Sequence, residues 1–180
     1  MKNVTNNLSE EHQYILKAIS AIVYECKQLD EGQELEKSFF EKAIDFIKNY
    51  ADKFHHAKEE DILFEKLNSD TVQMHCNPIP QMLYEHDTGR DFVKGMEKGL
   101  EENDKKTVIE NARGYAYLLK DHIMKEDNIL YPMAEEALND EQKDSILKEY
   151  NEVEVNKFPK ADISKYLAII IELEKLNRRI

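Results

Sequence analysis

Two ten-residue stretches of this chain carry nearly the same chemical groups in the same order. Residues 55–64 read His-His-Ala-Lys-Glu-Glu-Asp-Ile-Leu-Phe, and residues 122–131 read His-Ile-Met-Lys-Glu-Asp-Asn-Ile-Leu-Tyr. Aligned without a gap, His55 falls on His122, Lys58 on Lys125, Glu59 on Glu126, and Ile62-Leu63-Phe64 on Ile129-Leu130-Tyr131. Each copy places a histidine and a glutamate four residues apart, so on a helix both project from one face about one turn apart. Two such helices facing each other bring two imidazoles and two carboxylates into one small volume, the donor set of a two-metal site. Imidazole and carboxylate without thiolate suit iron, manganese, zinc or cobalt. Two divalent ions bring four positive charges, Glu59 and Glu126 remove two, and a bridging hydroxide removes a third. A single net charge remains, which a buried centre can tolerate.

The elements that must position these groups are helical. The chain has 180 residues, 41% hydrophobic and 34% charged, with five Gly and four Pro. That length fits one domain, residues 1–180, and the balance suits a helical protein better than a sheet or a disordered chain. Ser9 before Glu10 and Glu11 predicts a helix start, with His12, Ile15, Ile19, Ile22, Cys26 and Leu29 on one stripe, ended by Asp30-Glu31-Gly32. A second helix is expected from about Glu34 to Leu67, and a loop over residues 68–80. A third helix should run from Pro80 to Leu100, its internal glycines weakening it slightly. Asn103-Asp104 then turns the chain into a fourth, from Lys105 to Leu138. Four amphipathic helices with short connections predict an all-α, up-down-up-down four-helix bundle over residues 9–138. Residues 139–180 form a C-terminal extension: a short helix from Glu141 to Val155, a break at Phe158-Pro159, and a last helix capped by Asp162. That last helix is apolar on more than one side, so it packs on the bundle or on a second copy in a homodimer.

The inward stripes pass through the candidate ligands. In the second helix Phe40, Ile44, Ile47 and Ala51 lead to His55, Glu59 and Ile62, which leaves His56 and Glu60 on the solvated side. In the fourth, Val108, Ala112, Tyr115 and Leu119 lead to His122, Glu126, Ile129 and Met133. The third presents Ile79, Leu83, His86, Arg90, Val93 and Leu100, and the first presents His12. Taken singly, an inward histidine is more often a hydrogen-bonded core residue than a ligand, and a lone glutamate can cover apolar surface with its stem. Buried carboxylates are costly unless paired or metal-bound, and four inward histidines beside two inward glutamates point to metal.

With these residues in place, the chain resembles the hemerythrin-like family, the HHE cation-binding domains. The matching residues are Glu11-His12, His55 to Phe64 with Glu59 and Glu60, Glu85-His86-Asp-Thr-Gly-Arg90, and His122 to Ala134 with Glu126. The resemblance implies a bundle holding a non-haem di-iron centre, oxo- or hydroxo-bridged, with His12, His55, Glu59, His86, His122 and Glu126 as ligands. Two departures stand out. Oxygen-carrying hemerythrins have a further histidine where this chain has Arg90, and they take their last carboxylate from the position of Asp127. The repeat and the stripe favour Glu126 over Asp127. His56 could replace the missing histidine only if the second helix rotates locally.

The remaining features bound the function. The formal charge of −12 argues against nucleic acid or an anionic membrane as partner. No run approaches 18 apolar residues, and the N-terminus lacks the apolar core of a signal peptide, so a cytoplasmic protein is expected. Cys26 and Cys76 have no metal or redox spacing and are expected to be reduced. Open positions on the ions would take O2, NO or peroxide, for sensing, storage or stress defence. Tyr24, Tyr115 or Tyr117 would lie near a redox-active centre. No motif fixes a catalytic cycle. The competing readings are a non-redox zinc or manganese module, and a purely structural bundle.

Overall fold

The computed structural model describes residues 2–156, 158 and 160–176. Among them are six helices and no strand. Helix α1 is Asn6–Asp30. Helix α2 covers residues 37–67 and is α-helical over Lys37–Phe46, then π-helical over Ile47–His56 and Glu59–Phe64. Helix α3 is Ile79–Glu101. Helix α4 covers residues 105–137, with a π-helical segment at Glu126–Leu130. Helices α5, Asp140–Asn156, and α6, Lys160–Leu176, follow.

The caps explain most of these boundaries. Gly32, at φ 104°, adopts the left-handed conformation that ends α1. Asp104 accepts hydrogen bonds from the Lys106 and Thr107 amides and so starts α4. Asn139 and Gln142 exchange side-chain to backbone hydrogen bonds at the start of α5, a capping box. Two expectations at helix starts change. Thr5, not Ser9, precedes the first turn of α1, and the Ser9 hydroxyl instead donates to Asp127 Oδ1 at 2.7 Å. Asp162 lies within the first turn of α6, which begins at Lys160. The break expected at Phe158-Pro159 falls partly outside the described residues.

Two apolar clusters fill the bundle, one toward each end. One contains Ile15, Phe54, Val93 and Ile123; the other contains Leu8, Ile62, Met82 and Leu130. Along α1 the chain passes from the second cluster to the first, along α2 back again, along α3 forward and along α4 back. That alternation is the up-down-up-down order. It leaves one polar layer between the clusters, crossed by His12, the 55–59 segment, His86 and the 122–126 segment. Helix α5 buries Ile146, Tyr150 and Val153 and packs on the 59–64 segment of α2. Helix α6 packs on α1 and α2 and buries Tyr166, Ile170 and Leu173. Cys26 is buried, Cys76 is exposed, and both are free thiols. No helix among the described residues is long and apolar enough to cross a membrane.

Helices α3 and α4 approach closely because Gly99 faces the start of α4. A Cβ there would lie 2.9 Å from the Val108 backbone nitrogen and 2.8 Å from its Cγ2. Since backbone has to move to make room, Gly99→Ala should destabilise the protein by about 1–3 kcal/mol despite alanine's better helix propensity. Urea unfolding checks this, and an unchanged midpoint would contradict the close packing.

Candidate metal centre

The polar layer is built from histidines held by carboxylates. His55 donates from Nδ1 to Glu11 Oε2 at 2.8 Å, and His122 donates in the same way to Glu85 Oε2 at 2.8 Å. His12 Nδ1 donates to Asp127 Oδ1 at 3.0 Å, and His86 Nδ1 to Glu60 Oε1 at 2.6 Å. His56 Nδ1 reaches Asp52 Oδ1 at 3.4 Å. An ionised carboxylate only accepts, so each contact fixes the proton on Nδ1 and leaves Nε2 free to turn inward. Cations back these carboxylates. Lys58 pairs with Glu11 and Lys125 with Glu85, while Arg90 bonds Asp52 and Glu60, each at 2.7 Å.

The sequence repeat therefore has a structural counterpart. Glu11-His12 on α1 and Glu85-His86 on α3 play matching parts, and Lys58 and Lys125 hold the matching glutamates. Glu60 and Asp127, aligned in the repeat, orient the histidine of the opposite half. The two halves differ at His56, which aligns with Ile123, and at Tyr131, which aligns with Phe64.

At the centre lie two carboxylates, three of whose four oxygens lack a well-formed hydrogen bond. Glu126 Oε1 is 3.1 Å from His122 Nε2, and its Oε2 is 3.3 Å from His12 Nε2. Glu59 Oε2 is 3.6 Å from Nε2 of both His55 and His86. Neither Glu126 oxygen nor Glu59 Oε2 accepts a well-formed hydrogen bond, although both residues are fully buried. Orphaned carboxylate oxygens in the interior are strongly unfavourable unless a cation meets them. Spacings of 3.1–3.6 Å are those of donors sharing an ion about 2.1 Å from each. Two clusters satisfy this requirement: His12, His55, Glu59 and Glu126, and His56, Glu59, His86 and His122, the donor atoms of each within 4.8 Å of one another. The residues fit a pair of ions that share Glu59.

All six residues expected from the sequence fall in these clusters. His56 was expected on the solvated side, and this is corrected: it is 6% exposed and stacks on His86 at 3.8 Å between centroids. The cause is the π-helical segment ending at His56, whose wider turns carry an extra residue and swing the neighbouring position inward. The π-helical segment at Glu126–Leu130 has the same effect on α4. The inward stripe passes to Leu130, Tyr131 and Ala134, while Ile129, expected inside, is 51% exposed. Leu83 of α3, also expected inside, is 37% exposed, and Met82 takes its place in the core. Asp127 orients His12 and belongs to neither cluster. Among the tyrosines, Tyr117 is exposed and Tyr24 half-buried, whereas Tyr115 is buried on the His86 side. The residue missed was Tyr131, whose hydroxyl donates to Glu59 Oε1 at 2.5 Å. Its alignment with Phe64 in an otherwise matched repeat was the available signal.

Without metal, protons occupy this layer. Burial opposes charge on His12, but Asp127, Glu126 and Glu59 outweigh it and raise its pKa to about 9. Burial likewise opposes charge on His122, yet Glu126, Glu85 and Glu59 raise it to about 10. Burial and the neighbouring Glu126 push Glu59 well above the usual carboxylate range. Burial would raise Glu126 too, but His122 and His12 hold it well below.

Fold and site together define a helical-bundle protein with a buried histidine and carboxylate layer able to hold cations. A family model for the hemerythrin HHE cation binding domain matches residues 3–134. That is more than half of the chain, and the protein belongs to this family. Neither the curated proteins nor the solved structures contain a significant match.

Proposed function

We propose that the protein is a non-haem di-iron protein that binds O2, NO or peroxide for sensing or for handling iron and oxidative stress. One ion is assigned to His12, His55, Glu59 and Glu126, and the other to His56, His86 and His122 with Glu59 shared. The observation that carries this reading is the combination of five carboxylate-oriented imidazoles with three buried carboxylate oxygens lacking donors. Iron, when bound, would supply the capacity to coordinate and reduce such small ligands.

The chain's own residues do the rest. The orienting carboxylates fix the ring tautomers and raise imidazole basicity. Lys58, Lys125 and Arg90 offset the charge of those carboxylates. Tyr131, kept protonated by burial and by the adjacent Glu59, holds a proton at Oη beside a shared carboxylate. Helix α5 lays Tyr150 over Lys58 and excludes water from the Glu11 side. We infer that residues 139–180 belong to the same domain as the bundle, since α5 and α6 complete its packing.

The first test is elemental analysis of protein purified without chelator or affinity metal. Two irons per chain are expected. Two zinc or manganese ions would favour a non-redox module on the same donor set, and no metal even after anaerobic ferrous addition would overturn the reading. A second test follows from the protonation pattern. His12 and His122 carry protons below about 9 and about 10, so an incoming ion must displace them. Loading at pH 7 should release at least two protons, and affinity should climb with pH up to those values. Calorimetry in buffers of different ionisation enthalpy checks the count, and pH-independent binding would contradict it.

A further inference from the structure

The polar layer is open on one side. Between α2, α3 and α4 a cleft of about 420 Å³ leads from the surface to His56 and His86. The shell of an octahedral hydrated ion, at about 30 Å³ of liquid volume per water, takes less than half of that. Asp52 and Arg90 line the same cleft.

Arg90 reaches here from α3 to α2. Its Nε and Nη2 donate to Asp52 Oδ1 at 2.9 and 2.7 Å, and Nη2 also donates to Glu60 Oε1 at 2.7 Å. These are the same two oxygens that face Nδ1 of His56 and Nδ1 of His86. One guanidinium therefore holds the orienting partners of both cleft-facing rings, which lie nearly parallel, 12° between planes. The other three orienting carboxylates have separate partners. Glu11 has Lys58, Glu85 has Lys125 and Gln81, and Asp127 has Ser9. His12 and His55 take nothing from Arg90.

Charge alone does not account for this arrangement, since any cation would offset it. Holding two carboxylates at fixed angles needs the planar fork of a guanidinium, which an ammonium lacks. The two halves of the layer are also unequally sealed. The Lys58 side chain is fully buried, whereas that of Arg90 is 33% exposed at the cleft.

We propose that Arg90 is the positioning residue of the cleft-side ion, fixing His56 and His86 through Asp52 and Glu60. The ion at His12, His55, Glu59 and Glu126 does not depend on it. This role rests on the two-ion reading of the centre and divides that centre into two separable halves.

The test titrates the metal-free full chain with zinc against a chromophoric chelator, which resolves two affinities. Arg90→Ala should weaken the cleft-side ion about 10–100-fold, the range for losing an outer partner of a ligand, and leave the other ion at parental affinity. An Asp52→Asn, Glu60→Gln chain should lose as much, and adding Arg90→Ala to it should cost nothing more. In a His56→Leu background, Arg90→Ala should not change the ion that remains. Arg90→Lys, which keeps the charge without the fork, should also bind the cleft-side ion more weakly than the parent. Lys94→Ala, a cleft cation paired with Asp91, should match the parent.

A merely structural arginine would weaken both ions together, in every background. Equal weakening of both ions, an unchanged cleft-side ion, or a full effect of Arg90→Ala in the Asp52, Glu60 background would overturn the proposal. Arg90→Lys carries the same decision should Arg90→Ala fail to fold. Metal content of the purified parent keeps the two readings apart. Two zinc ions bound by a chain purified without iron would sink the di-iron reading alone. Two irons in the parent, with zinc affinities unchanged in Arg90→Ala, would sink the role of Arg90 alone. A chain that takes no ion sinks both.

Discussion

Changing both Glu59 and Glu126 to glutamine is expected to abolish metal retention while leaving the metal-free fold at least as stable as the parent. The two effects have separate causes. These side chains supply the only carboxylate oxygens within the two clusters. Losing an outer partner of a ligand typically weakens metal affinity about 10–100-fold, and losing Glu59, common to both clusters, together with Glu126 of one should cost more. Without metal, however, Glu59 is held toward its neutral, protonated form by burial and by Glu126. Glutamine matches that form in shape and charge. Glu126 is the ionised partner of His12 and His122, and once it becomes glutamine the two imidazoles can shed their protons and remain buried as neutral rings. Removing a fully buried ion set in this way is commonly neutral or stabilising.

The readout is a pair of melting curves, with chelator and with saturating metal. In the parent, an ion at 100 to 1,000 times its dissociation constant stabilises the fold by about 2.7–4.1 kcal/mol. In the double variant the curves should coincide. Retained metal would refute the ligand assignment. A large loss of stability in chelator would instead make the glutamates structural.

His56→Leu should remove one ion and leave the other. His56 is one of three imidazoles in its cluster, and it is absent from the cluster of His12, His55, Glu59 and Glu126. The metal-to-protein ratio should therefore fall from two toward one, or affinity for the second ion should drop more than about 100-fold, judged against outer-partner losses. Leucine fills similar volume in a buried position, so the metal-free melting temperature should change little. His75→Leu, in an exposed loop, is the control and should retain both ions. Two ions bound by His56→Leu with parental affinity would show that the ring stacked on His86 is no ligand. The pair of experiments thus separates the carboxylates, which reach both ions between them, from an imidazole serving one half of the centre.

The bundle, and the six residues that the two clusters bring together, were legible in the sequence alone. Their legibility has a simple origin. Helical periodicity is local, so the stripe from Phe40 through Ala51 to His55 and Glu59 can be read without knowing what it packs against. The duplication repeated the reading independently in His122 and Glu126. The lysines at matching positions were visible too, though nothing local indicated that Lys58 would pair with Glu11 on α1 or Lys125 with Glu85 on α3. Those pairings span 47 and 40 residues, and they depend on which helices become neighbours.

The largest errors, at His56 and Ile129, arose where the backbone left the period that had been assumed. A stripe drawn at 3.6 residues per turn places His56 outside and Ile129 inside. The π-helical segments of α2 and α4 shift that phase and reverse both. Such a shift is a tertiary choice: a widened turn gives up regular hydrogen bonding and is stabilised only by what the rotated side chain meets, here the face of His86. The partner of Tyr131, the unmatched hydroxyl of Tyr115 and the open side of the layer were decided in the same way. Composition, periodicity and the repeat determined which groups could bind metal. Only the packing of four helices determined how each ring is oriented, that a fifth histidine joins them, and from which side a ligand can reach the centre, because those properties belong to contacts between residues far apart in the chain.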